Sequence, residues 1–80
     1  MFTDEKMEQL YAQGAKAKDI IQVCLDVIPE KSTAADIRRA NNIWLLFQKR
    51  HQDVFRKDAF IDILCALNPN KELVIKRILL

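Results

Sequence analysis

Eighty residues, 50% of them apolar, with one glycine, two prolines and a net charge of +2, make a short chain with ample hydrophobic material to fold. Such a length accommodates a single core and no second domain, and so few turn residues speak against a β-rich fold, whose hairpins need positive-φ positions. No apolar run is longer than that from Ile43 to Phe47, far short of the ~20 residues of a membrane-spanning helix; with neither a secretory signal nor a lipidation motif, the chain reads as intracellular (cytoplasmic), without membrane association.

Thr3 has the chemistry of an N-cap, and Phe2 with Met7 has the spacing of a hydrophobic staple. A first helix is expected from about Asp4 to Gln13, with Met7, Leu10 and Tyr11 on one face and Gly14 placed as a left-handed C-cap. A second is expected from about Lys16 to Ile28, where Ala17, Ile20, Ile21, Cys24, Leu25 and Ile28 form a wide apolar stripe that Pro29 terminates. Ser32 or Thr33 then caps a third helix, the longest, about 34–52. If Thr33 is the cap, Asp36 completes a capping box.

Along this third helix Ile37, Ala40, Trp44 and Phe47 repeat at the spacing of a buried seam. Arg38, Asn41, Asn42, Leu45, Gln48 and Lys49 fall on the other wall. A fourth helix is expected from Asp53 to Leu67, burying Phe60, Ile63, Leu64 and Leu67 with Ile61 and Cys65 on its flank. Asn68 closes it and caps a fifth helix beginning at Pro69, a residue favoured at a first helical position. The fold class is all-α: one domain over residues 1–80, a small bundle of four or five short helices with Trp44 and Phe47 at its centre.

The residues give little support to catalysis. A Ser-based site would have to be assembled from Ser32 and His51 alone, and Ser32 is better read as a cap, His51 as a surface residue at a helix C-terminus. Cys24 and Cys65 sit in apolar stretches and read as reduced core thiols. With His51 they are too few and too widely spaced to close a zinc site. Asp58 and Asp62, one turn apart, lack the oxygen cage that calcium prefers and read as a solvated face. A non-enzyme without cofactor or metal is expected.

Charge is the informative signal. Residues 1–37 carry a net charge of −3, residues 38–57 +5, and residues 58–80 none. The basic segment supplies Arg38, Arg39, Lys49, Arg50, Arg56 and Lys57, and Arg38, Asn42 and Lys49 share one side of the third helix. These seven residues are the candidate contacts for an acidic protein surface. They would make the chain a small regulatory or adaptor protein that acts by stoichiometric binding. The alternative is a helix-turn-helix-like nucleic-acid-binding regulator built from helices 2 and 3 across Pro29–Ser32, in which Arg38, Arg39, Asn41 and Asn42 would meet base edges. Glu30 and Asp36 would then lie near phosphates, and the turn lacks glycine. Leu45, Leu79 and Leu80 are candidates for a self-interface, because pairing two copies would add the core that a chain this small lacks.

Overall fold

The computed structural model describes residues 2–28 and 33–80, and of Phe2 the backbone only. Five α-helices are present among them: α1 (Phe2–Ala12), α2 (Ala17–Asp26), α3 (Ala34–Arg50), α4 (Ala59–Leu67) and α5 (Glu72–Leu79), with a 3₁₀ turn at Pro69–Lys71 ahead of α5. The fold is all-α, as the periodicity indicated. The expected Ser32 cap, the Pro29 terminator and the Pro29–Ser32 connection lie outside the described residues, as does the Phe2 half of the staple.

Local chemistry sets the helix ends. Thr3 is inside α1 and does not cap it. Gly14 has φ 81°, and Ala15 N–H donates to the Leu10 carbonyl while Gly14 N–H donates to that of Tyr11. These are the paired bonds of a Schellman motif, which only a left-handed residue at that position closes without strain. At the start of α3 the Asp36 N–H donates to Thr33 Oγ1 at 3.3 Å and the Thr33 N–H donates to Asp36 Oδ2 at 3.0 Å, completing the capping box. The Thr33 N–H and then its hydroxyl, with Arg39 nearby, hold the Asp36 carboxyl below the ordinary carboxylate range. Asn68 ends α4 by donating its side-chain amide to the Leu64 carbonyl; its side chain does not cap the turn that follows.

The core is one contiguous cluster. Met7 of α1, Ile20, Ile21 and Cys24 of α2, Trp44 and Phe47 of α3 and Phe60 of α4 are fully buried, with Leu64 and Ile75 at the α4–α5 end. α2 packs against α1, α3 and α4, while α5 closes the other side against α3 and α4. Trp44, Phe47 and Phe55 form a triangle of rings with centroids 5.6–5.8 Å apart. Tyr11 meets Phe47 and Phe55 edge-on at 6.3 and 6.0 Å, separations at which aromatic pairs attract beyond their buried area.

The stretch 51–58 departs from expectation. A continuous helix from Asp53 would set Phe55 about 140° around the axis from Phe60, so both could not face one core. Instead the Val54 and Phe55 N–H groups both donate to the His51 carbonyl, and the chain turns so that Phe55 enters the aromatic cluster; α4 starts only at Ala59. Gln48 fixes this turn. Read as part of the polar wall, it is only 5% exposed, and its Nε2 donates to the Phe55 carbonyl at 2.8 Å. Leu67, expected in the core, is 58% exposed in the last turn of α4.

A buried acceptor that loses its donor costs about 1–3 kcal/mol. Gln48→Met keeps length and volume but leaves the Phe55 carbonyl without a partner, so a urea titration is expected to show stability lower by about that amount with an unchanged slope. An unshifted midpoint would mean that the turn does not depend on this bond.

Candidate protein-binding surface

With Trp44 and Phe47 turned inward, the 100° step per residue fixes what α3 shows outward. Arg38, Arg39, Asn42, Leu46, Lys49 and Arg50 are all exposed. Leu46, 63% exposed, lies four residues after Asn42, seven after Arg39, three before Lys49 and four before Arg50. The three- and four-residue spacings make Asn42, Lys49 and Arg50 its neighbours on the helix surface, and Arg39 lies on the same face two turns away.

The sequence pattern points to Leu45, and not to Leu46, as the apolar residue on this wall. Leu45 is half-buried and packs against the core. One residue separates the two, and counting from Trp44 resolves them: Leu45 lies about 100° from it and Leu46 about 200°, on the far side of the helix. Of the other self-interface candidates, Leu79 also packs against the core and Leu80 is exposed.

The cations of the basic segment are not equivalent. Arg39 Nη2 pairs with Asp36 Oδ1 at 2.9 Å, within the capping box. Arg38 donates through Nε to the Ile78 carbonyl at 3.2 Å, satisfying an acceptor in the last turn of α5. Arg56 pairs with Asp62 at 2.6 Å and Asp58 at 3.4 Å, which ties it to α4 and away from the α3 face. The same pairing occupies the two carboxylates considered for a cation. Arg50 Nε pairs with Glu8 Oε1 at 3.1 Å. Among the described residues, Lys49, Lys57 and Asn42 have no side-chain partner. Lys49 and Lys57 line one cleft of about 390 Å³ with Leu45, Gln48 and Gln52.

His51 differs from the surface histidine expected. Its ring stacks on Tyr11 at 4.0 Å and 28°, lies 4.7 Å from Phe47, and places Nε2 3.0 and 3.1 Å from the two Glu8 oxygens. Glu8 thus joins α1 to both His51 and Arg50 at the C-terminal end of α3, where cations also complement the helix dipole. Neither cysteine stands among these groups. Cys24 is buried against Met7 Sδ, and burial pushes its thiol up to about 12, the state of an inert core thiol. No group of three or more His, Cys, Asp or Glu side chains is spaced to hold a metal among the described residues, and no helix there is long and apolar enough to cross a membrane.

Partial burial disfavours ionisation of Glu8, but the hydrogen bonds from His51 and Arg50 outweigh it and hold the carboxyl below its ordinary value of 4.5. A carboxyl depressed in the folded state stabilises the fold above its unfolded pKa, and the contribution disappears as pH falls through the folded value. Glu8→Gln is therefore expected to cost roughly 0.5–1 kcal/mol at pH 6, a modest figure because the pair is partly solvated, and almost nothing near pH 2. Urea titrations of both proteins at the two pH values check this. Asp36 adds acid sensitivity of the same sign, which the variant retains.

Comparisons of the chain with family models, with characterised proteins and with solved structures give no match, so the reading of this surface rests on its own geometry.

Proposed function

We propose that this chain is a small non-catalytic regulatory or adaptor protein that binds a protein partner stoichiometrically, and that it meets an acidic surface of that partner with the outward face of α3. Leu46 carries the reading. A single exposed leucine is ordinary on a protein surface. One whose helical neighbours are Asn42, Lys49 and Arg50, with Arg39 further along the same face, has the arrangement of an interface: an apolar centre inside a polar rim. Covering the exposed part of Leu46 would contribute roughly 1–2 kcal/mol. Arg39 and Arg50 each hold a carboxylate of their own chain, which restrains the side chain and leaves further N–H donors for a partner. Lys49, a hydrated cation on a flexible stem, suits the rim and the steering of an acidic partner.

A second reading, a nucleic-acid-binding regulator, draws on Arg38, Arg39 and Asn42. All three are exposed in the N-terminal half of α3, where a helix-turn-helix presents its base-reading side chains. The two readings differ in their use of Leu46, since phosphate binding has none for it.

Capture from an extract of the cells that make the protein, followed by light scattering of the reconstituted complex, is expected to give a fixed stoichiometry. Leu46→Asp is expected to weaken that complex at least tenfold, a loss of about 1.4 kcal/mol. Lys49→Glu is expected to slow association and reduce its salt dependence. Wild-type affinity in both variants would remove this face from consideration. Mixed-sequence duplex DNA decides the second reading: binding whose log–log salt slope steepens by about 0.9 per phosphate contacted, and which survives Leu46→Asp, would establish it. The mass of the free chain reports self-association, for which Leu73 (81% exposed) in α5 and Leu80 (87%) just after it offer apolar surface.

A further inference from the structure

The cleft beside Leu45 is separate from the Leu46 face and shares only Lys49 with it. Leu45 supplies apolar lining. Gln48 is buried and already spends its amide nitrogen on the Phe55 carbonyl at 2.8 Å, while Gln52 Nε2 is bound to the Lys49 carbonyl at 3.1 Å. Those bonds tie down two of the side chains around the opening, so less order has to be imposed when something enters. Lys49 comes from α3 and Lys57 from the turn that Phe55 anchors; among the described residues neither has a carboxylate partner. Two uncompensated ammonium groups beside apolar lining, with no carboxylate among the lining residues, fit an anion borne on an apolar body.

Resting on the reading that α3 binds protein, we infer that this cleft receives an acidic segment of the partner: a Glu or Asp carboxylate between Lys49 and Lys57, with a neighbouring apolar side chain against Leu45. Phosphate fits less well. A sugar-phosphate backbone has little to place on a leucine, whereas a peptide brings carboxylate and hydrocarbon together. The lysine and glutamine stems around the opening add further hydrocarbon contact to such a side chain.

The probe is a blocked helical peptide with Leu and Glu at four-residue spacing, titrated into the intact ¹⁵N-labelled chain beside a counterpart carrying Gln for every Glu. Amide shifts are expected to concentrate at residues 45–57, with the Gln peptide at least tenfold weaker. Lys49→Gln with Lys57→Gln, both exposed positions, is expected to weaken the acidic peptide at least fivefold. Leu46→Ser is expected to leave peptide binding within twofold while weakening the partner complex, which separates this inference from the reading it rests on. Shifts scattered over the molecule, equal binding of the Gln peptide, or displacement of the acidic peptide by short duplex DNA at the same residues would each overturn it. Peptide binding in the cleft together with a partner complex indifferent to Leu46→Ser but weakened by Lys57→Gln would keep the cleft and discard the Leu46 face.

Discussion

The burial of Trp44 and Phe47 sets the rotation of α3, and nearly everything else about the surface follows from that rotation. The two side chains are three residues apart and both reach zero exposure, which leaves the helix no freedom to roll. Rolling by even one residue's 100° step would bring one of the largest side chains in the protein to solvent, at a cost of several kcal/mol of burial. Fixed in this way, α3 must show Leu46 and four of the candidate cations outward, and it must turn Gln48 inward, where only a buried hydrogen bond can satisfy its amide. The Phe55 carbonyl supplies that bond, so the inward turn at 51–58 and the place of Lys57 beside Lys49 both descend from the packing of two aromatic rings.

The same helix is held at both ends by polar chemistry. Its N-terminus is closed by Thr33 and Asp36, and its C-terminal turn carries Arg50 and leads to His51, both joined to Glu8 of α1. The Tyr11 ring stacked on His51 continues that joint into the aromatic cluster. α1 is therefore fixed both by apolar side chains and by a charged group at the point where α3 ends. This accounts for part of the segmental charge pattern: Glu8, from the acidic N-terminal segment, is spent on the basic segment, and so is Asp36.

Much of the fold was legible in the sequence because it rests on periodicity and caps, which are local. Five helices, the Gly14 turn, the Thr33–Asp36 box and the central Trp44 and Phe47 all follow from residue types at fixed spacing. What was not legible depends on pairings across the chain. Nothing near Gln48 says that its amide will meet a carbonyl seven residues on, and without that bond the stretch from Asp53 reads as plain helix. His51 looked solvated because Glu8 and Tyr11 lie some forty residues away. The basic segment was visible as composition, but which cations are occupied was not. Arg38, Arg39, Arg50 and Arg56 each turn out to hold an acceptor of this chain, and a count of charges cannot separate them from Lys49 and Lys57.

Leu73 in α5 and Leu80 just after it are more exposed than Leu46, so exposure alone would rank the fifth helix above the third. Mechanical support reverses the order. α5 has eight residues, follows a 3₁₀ turn without a side-chain cap, and has Ile75 as its one fully committed core residue. α3 has seventeen, a closed capping box and four buried side chains. Binding through a poorly anchored element loses free energy to ordering that element, whereas a contact presented on a rigid helix keeps most of what the interface supplies. An apolar centre on the most strongly held helix, with Arg39 and Arg50 restrained by bonds within the chain and Lys49, free among the described residues, beside them, is thus the arrangement that, on the proposed reading, turns a small buried area into affinity most efficiently.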